Sequence, residues 1–470
     1  MTDQAAPSRT KHIFQLFKEA LRGEEHEYTA GSINKAIFLL SVPMVLEMVM
    51  ESVFALVDIY FVGKLGNAAV ATVGLTESML TIIYSLGIGL SMAATAVIAR
   101  RTGEKNSDGA SHAAMQAIYV TIAISLIVSI VGIFFAKYLL VLMGADETIT
   151  SGNHVYTQIM LIGNAPIMLI FLINGIFRGA GNAAIAMRSL WLANILNIIL
   201  CPTLIYGFGP IPPLGIKGAA IATTIGRSMG VLYQLYHLFN DRGIIKIKRP
   251  HLKPDLGIMG NLVKIGAGST GQFLIASASW IFLVRILSRF GNDAIAGYTI
   301  AIRILIFALM PSWGMSNAAA TLVGQNLGAK QPERAERSVW RTAFYNMIFL
   351  GSVGIISIVF AEGILGFFTK DPTAIYFGEQ CIFYVCLGYI FYAYGMVISQ
   401  SFNGAGDTVT PTVLNFFGFW CFQIPLAYTL AVLLNMGPKG VFMSIAIAES
   451  AMAVVGILLF RRGKWKLVKV

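Results

Sequence analysis

The chain has 470 residues, of which 56% are hydrophobic and only 12% charged, and its mean hydropathy is +0.72. A soluble fold of this length cannot keep so much apolar sequence away from water, so lipid must be the solvent for most of it. The formal charge of +11 does not point to nucleic acid, because Lys and Arg fall in separate clusters between apolar runs.

The first residues are polar, with no apolar stretch ending in small residues, so no cleavable leader is expected. Ile13, Phe14, Phe17 and Leu21 then share one helical face, with Lys11, Lys18, Glu19 and Arg22 elsewhere. This pattern predicts a short helix lying in the membrane interface, the alternative being a disordered tail. Roughly 20 residues are needed to cross the hydrocarbon core. Apolar runs predict spans at 33–62, 68–99, 112–138, 150–177, 184–208 and 216–240, then at 256–289, 293–325, 336–361, 373–402, 409–435 and 439–461. The expected fold is an all-α membrane protein with twelve transmembrane helices in two six-helix lobes. The layout is a tail at 1–32, an N-terminal lobe at 33–240, a basic linker at 241–254, a C-terminal lobe at 255–461 and a basic tail at 462–470.

Basic residues gather at Arg9 to Arg22, Arg100 to Lys105, Arg242 to Lys253, Lys330 to Arg341 and Arg461 to Lys469. The intervening short loops hold little more than one each, among them Lys64, Lys137, Lys217, Arg289, Lys370 and Lys439. That alternation predicts both termini on the cytoplasmic side, and the expected location is a bacterial inner membrane. Cys201, Cys381, Cys386 and Cys421 lie in apolar segments and read as small buried hydrophobes, with no disulfide or zinc spacing. The six histidines are scattered, and no Walker A sequence is present. Gly266-Ala-Gly268-Ser-Thr-Gly271 matches a dinucleotide fingerprint but sits in an apolar span with no preceding strand, which suits close helix packing instead.

The two halves are repeats. A shift of 225 residues carries Gly66-Asn67 onto Gly291-Asn292, Gly103 and Lys105 onto Gly328 and Lys330, and Gly179-Ala180-Gly181 onto Gly404-Ala405-Gly406. A shift of 222 aligns Gly215, Lys217 and Gly218 with Gly437, Lys439 and Gly440. Six spans per half put both halves in the same orientation, related by a pseudo-two-fold axis along the membrane normal. Two lobes that rock about a path between them are a transporter's plan.

Ionisable groups within spans are costly and are presumed functional. Glu47, Glu51 and Asp58 on the first span point within about 40° of one another and form one acidic stripe. A proton or Na⁺ bound there, at Asp58 above all, would compete with a cationic substrate, and the other reading is carboxylates paired with Arg or Lys. Glu77 and Arg303 occupy adjacent positions of the repeat, and Arg303 either braces packing or binds ligand. Arg227 and Lys264 are placed near the cytoplasmic ends of their spans, from where they could snorkel, whereas Arg285 has no such reading. Met44, Met48, Met50, Tyr84, Phe273, Trp280, Trp313, Tyr392 and Tyr394 are candidates for a pliable apolar cavity. Pro43, Pro166, Pro311 and Pro425 can bend their helices, and a movable kink is expected first at Pro43.

Val57-Asp58-Ile-Tyr-Phe-Val-Gly63-Lys-Leu-Gly66 and Gly324-Gln325-Asn326-Leu327-Gly328-Ala329-Lys330 are similar to signatures of the multidrug and toxic compound extrusion (MATE) family, part of the MOP flippase superfamily. Phe177-Arg178-Gly179-Ala180-Gly181-Asn182 and Asn403-Gly404-Ala405-Gly406-Asp407 resemble its loops after spans four and ten. The resemblance runs from about residue 33 onward. It implies a V-shaped twelve-helix antiporter, not an enzyme, that expels organic cations and other drugs against inward H⁺ or Na⁺, with Asp58 as the ion-linked carboxylate. Some relatives carry an asparagine and, four residues on, an aspartate in span five, where this chain has Asn197 and Cys201. Others have a carboxylate in span ten, near Tyr392 and Tyr394, or a glutamate in span seven, near Gln272. The expected partners are a small organic substrate and membrane lipid, with no cofactor beyond the coupling ion, and the chain is expected to be monomeric. A lipid-linked oligosaccharide flippase is the alternative, kept open by Arg227, Lys264, Arg285 and Arg303. A channel or receptor is disfavoured by the repeat.

Overall fold

The computed structural model describes residues 9–23, 28–147, 149–240 and 243–470. Arg242 of the basic linker, and residues 1–8 and 24–27 of the N-terminal tail, lie outside the described residues. An amphipathic helix, Arg9–Arg22, leads the chain. It leaves Ile13, Phe14 and Phe17 exposed while Ala20 is buried.

Twelve long helical segments follow. The first six are Ile33–Gly63, Asn67–Gly103, Ser107–Leu142, Ile149–Gly179, Ala183–Tyr206 and Ile216–Phe239. The second six are Leu256–Phe290, Asn292–Gly328, Pro332–Val359, the bent pair Pro372–Leu387 and Tyr389–Ala405, Val409–Leu433 and Pro438–Arg461. They are spans one to twelve below. Among the described residues, ten helices are long and apolar enough to cross a membrane, and the bent pair makes an eleventh. Span six carries Lys217 and Arg227 and packs along span five.

Small residues fix how the lobes meet. Spans one, two, seven and eight form the interface, with span two against seven and span eight against one. A Cβ on Gly103 would strike the carbonyl of Gln325, and a Cβ on the equivalent Gly328 would strike the carbonyl of Arg100. These reciprocal contacts realise the pseudo-two-fold read from the repeat. The turns repeat as well: Gly66 has φ 99° and Gly291 φ 100°, a conformation open to glycine and strained for other residues.

The end of the bundle that carries both termini is sealed. Gln325 donates to the carbonyl of Gly179 at 3.0 Å and Thr321 to that of Arg178 at 3.1 Å. Arg334 of span nine donates to the carbonyls of Tyr28, Ala30 and Gly31. The C-terminal tail also packs: Trp465 is fully buried, stacked on Phe460, and the carbonyl of Val468 accepts from Arg100 at 2.9 Å.

Span one runs through Pro43 as one unbroken helix. The sharp bend, 58°, falls in span ten at Gly388, which no proline marks. Gly388 lies against the backbone of Ala446, where a side chain would crowd. Span four breaks at Gly163, before Pro166. Span eleven contains π-helical turns at Phe416–Gln423 and Thr429–Leu433, flanking Pro425, whose missing N–H leaves the preceding ladder a carbonyl short of a partner.

Candidate functional site

A cavity of about 610 Å³ lies between the lobes. Span one supplies Met48, Glu51, Phe54 and Asp58, and span two supplies Glu77, Tyr84 and Met92. Span eight closes it from the other lobe with Arg303, Met310, Trp313 and Asn317. The volume is that of a drug-sized ligand site, and its walls are mostly apolar and aromatic around a few ionisable groups.

The three carboxylates of the acidic stripe do not share one environment. Glu47 is 1% exposed and lies behind the cavity wall. Its Oε1 accepts from Arg178 at 2.5 Å and from Asn174 at 2.8 Å, while Oε2 is buried without a partner. Glu51 reaches the cavity but is gripped by Arg227, with Nη2 to Oε1 at 2.6 Å and Nη1 to Oε2 at 3.3 Å. Asn194 adds a third bond to Glu51 Oε2 at 3.0 Å. Arg227 is 3% exposed and sits over the ring of Phe54. It does not snorkel to the interface, as its sequence position suggested, because Glu51 compensates its charge inside the bundle.

Asp58 has no arginine or lysine partner among the described residues. Its Oδ1 accepts only the weak Sγ–H donor of Cys201, at 3.6 Å. The span-five position at which some relatives carry an acid therefore does meet Asp58, with a thiol in the acid's place. Asn197 instead donates to Thr223, which lines the cavity, at 2.9 Å. Glu77 and Arg303 also line the cavity, and neither forms an ion pair among the described residues. Among the described residues, no group of three or more His, Cys, Asp or Glu side chains could hold a metal ion.

Five other sequence candidates fall elsewhere. Gln272 is buried and exchanges hydrogen bonds with Asn403, at 2.9 Å and 3.2 Å. It is off the cavity because its position corresponds to Glu47, which also points into the lobe. Tyr394 packs on Trp340 in the core of the C-terminal lobe. Tyr392 lines a separate, smaller cavity inside that lobe, together with Trp280 and Glu449. Lys264 is exposed, and Arg285 is exposed in the last turn of its helix. Glu449 was not singled out in the sequence, where a lone carboxylate in span twelve carries no motif. The 222-residue shift that superposes Gly215 on Gly437 places it on Arg227.

The family model described as MatE matches residues 43–203 and 269–429, one copy in each lobe. Over 453 residues, the chain is 25% identical to the probable multidrug resistance protein NorM of Thermotoga maritima, covering 96% of this chain and 97% of the relative. It is 25% identical to the FAD transporter of Shewanella oneidensis, covering 93% and 97%, and 24% identical to the multidrug export protein MepA of Staphylococcus aureus, covering 92% and 94%. A solved structure described as the outward-facing conformation of a multidrug resistance MATE family transporter superposes with a TM-score of 0.89 at 26% identity, over 95% of this chain and 99% of that one. A MOP superfamily transporter from Pyrococcus furiosus, described as having reversed polarity of its binding pocket, superposes with a TM-score of 0.88 at 26% identity, over 95% and 99%. With a matching model over both repeats and a sealed two-lobed bundle around a central cavity, the chain belongs to the MatE family of multi-pass membrane transporters.

Proposed function

We propose that the protein is a secondary antiporter that exports amphipathic, cationic organic compounds, including drugs, in exchange for H⁺ or Na⁺. The observation that carries this reading is the exposure of Asp58 and Glu77, free of cationic partners, to an apolar cavity between the lobes. A desolvated carboxylate demands neutralisation. A proton or Na⁺ on Asp58 satisfies that demand in one state and the substrate's positive charge in the other, so each ligand expels its rival. Glu47 and Glu51 already have arginines and serve to hold spans four, five and six against span one. The basic clusters favour both termini on the cytoplasmic side of the inner membrane. The sealed end is then cytoplasmic, and the cavity belongs to the outward-facing state.

The test is transport in proteoliposomes. An imposed H⁺ or Na⁺ gradient should drive ethidium uptake, Asp58→Asn should abolish it, and uptake that is equally fast without any gradient contradicts antiport. Arg303, in the cavity without a carboxylate partner, supports a second reading in which the cargo carries phosphate. Movement of a polyprenyl-phosphate sugar in place of ethidium would establish it.

A further inference from the structure

A third cavity lies at the end of the bundle that carries both termini. It measures about 320 Å³ and is walled by the last turn of the amphipathic helix, the ends of spans four, five and six and the start of the linker. No residue of the C-terminal lobe lines it, so it is off the path between the lobes.

Its charge is one-sided. Arg22, Arg188 and His237 line it together with Asn182 and Asn240, and among the described residues no aspartate or glutamate does. Arg188 is half-buried and makes one hydrogen bond, from Nη2 to the carbonyl of Leu21. The rest of its five N–H donors have no partner among the described residues. His237, also half-buried, is held edge-on to Tyr233, with ring centroids 4.7 Å apart, and has no acidic partner among the described residues either. Asn182 donates to the carbonyl of Gly23 at 3.1 Å, so Asn182 and Arg188 fasten the end of the helix to the lobe and shape the wall. Basic groups gathered in a partly desolvated cavity call for an anion. The planar guanidinium matches the oxygens of a phosphate in particular.

The surroundings say where that phosphate comes from. The amphipathic helix leaves Ile13, Phe14 and Phe17 exposed, with Lys18 exposed beside them, which is the make-up of a helix lying among lipid headgroups. The remaining lining includes Phe177, Ile185, Ile244 and Ile245, apolar surface suited to the glycerol side of a headgroup. Basic pockets at the cytoplasmic ends of spans hold anionic headgroups in this way. A zwitterionic lipid would bring an ammonium for which the described lining has no acid.

We infer that this cavity binds the phosphate group of an anionic phospholipid, with Arg188 and His237 donating to its oxygens and Arg22 adding positive charge. The site stands apart from Asp58 and does not rest on the antiport reading.

The test uses the full chain, delipidated in a neutral detergent, titrated with dioctanoylphosphatidylglycerol and followed by thermal unfolding. The expected result is a saturable rise in unfolding temperature whose half-saturation weakens at least tenfold in Arg188→Gln and at least threefold in His237→Gln. Lys18→Gln removes an exposed charge of the helix outside the cavity and should leave the titration unchanged. His237→Gln carries the test if Arg188→Gln does not fold. Titrations of both cavity variants that match the unsubstituted protein overturn the assignment, and so does an equal response to dioctanoylphosphatidylcholine. A loss in Lys18→Gln as large as that in Arg188→Gln also overturns it, because the lipid would then be held by general surface charge. Potassium phosphate, with potassium chloride subtracted, should give no shift over the same range. An equal shift with the same dependence on Arg188 would overturn the lipid source in favour of a soluble phosphate.

Discussion

Arg178 and Glu47 form a buried ion pair at the two positions where, 225 residues on, Asn403 and Gln272 exchange neutral hydrogen bonds. One contact between spans one and four is thus built with charge in the first lobe and with amides in the second. Removing one member of a buried ion pair strands the other, typically at about 3–5 kcal/mol, whereas replacing both can be nearly neutral. Glu47→Gln and Arg178→Asn should each lower stability by more than 2 kcal/mol (an order-of-magnitude figure), and the double substitution should return within about 1 kcal/mol of the unsubstituted protein. Thermal unfolding in detergent measures this. Additive losses would show that the amide pair cannot stand in for the ion pair.

Glu51 and Asp58 should separate in the same assay. Glu51→Ala leaves Arg227 buried and uncompensated, so a loss of about 3–5 kcal/mol is expected. Asp58→Asn removes only an acceptor for a thiol, and unfolding should move by less than about 1 kcal/mol while transport is lost. Equal destabilisation by the two substitutions would mean that Asp58 is a packing residue too.

Gly103→Ala and Gly328→Ala place a methyl group against the backbone of the opposite lobe. Overpacking of this kind costs about 1–3 kcal/mol, and here it falls on the sealed state. Both variants should populate a form opened at the terminal end, to similar extents because the contacts are reciprocal. Spin labels at Ser107 and Gln331, both exposed, would report a longer distance; an unchanged distribution would place the opening elsewhere.

Trp465 is fully buried although it lies in a basic tail. Trp465→Ala should cost about 3–5 kcal/mol and expose the last residues to carboxypeptidase, as limited digestion and mass spectrometry would show.

The repeat was legible because its markers are glycines with a backbone reason to be there: Gly66 and Gly291 for their positive φ, Gly103 and Gly328 for the opposite lobe's carbonyls. The acidic stripe was legible from helical periodicity, which places side chains on a face but does not say what the face meets. Arg227 was misplaced for that reason, since its depth follows from Glu51 on a helix 176 residues away. The bend at Gly388 coincides with a close approach to Ala446 of span twelve, and no proline stands there to announce it in the sequence. Glu449 was missed because an isolated acid in an apolar helix has no local signature. Only its register against Arg227 singles it out.

The account rests on Asp58 holding either an inorganic ion or the exported cation, never both. Calorimetry of ethidium binding in buffers of different ionisation enthalpy counts the protons released, and a sodium electrode counts Na⁺. The account predicts release of one or the other on binding, and its loss in Asp58→Asn. Ethidium that binds with neither ion displaced would contradict it.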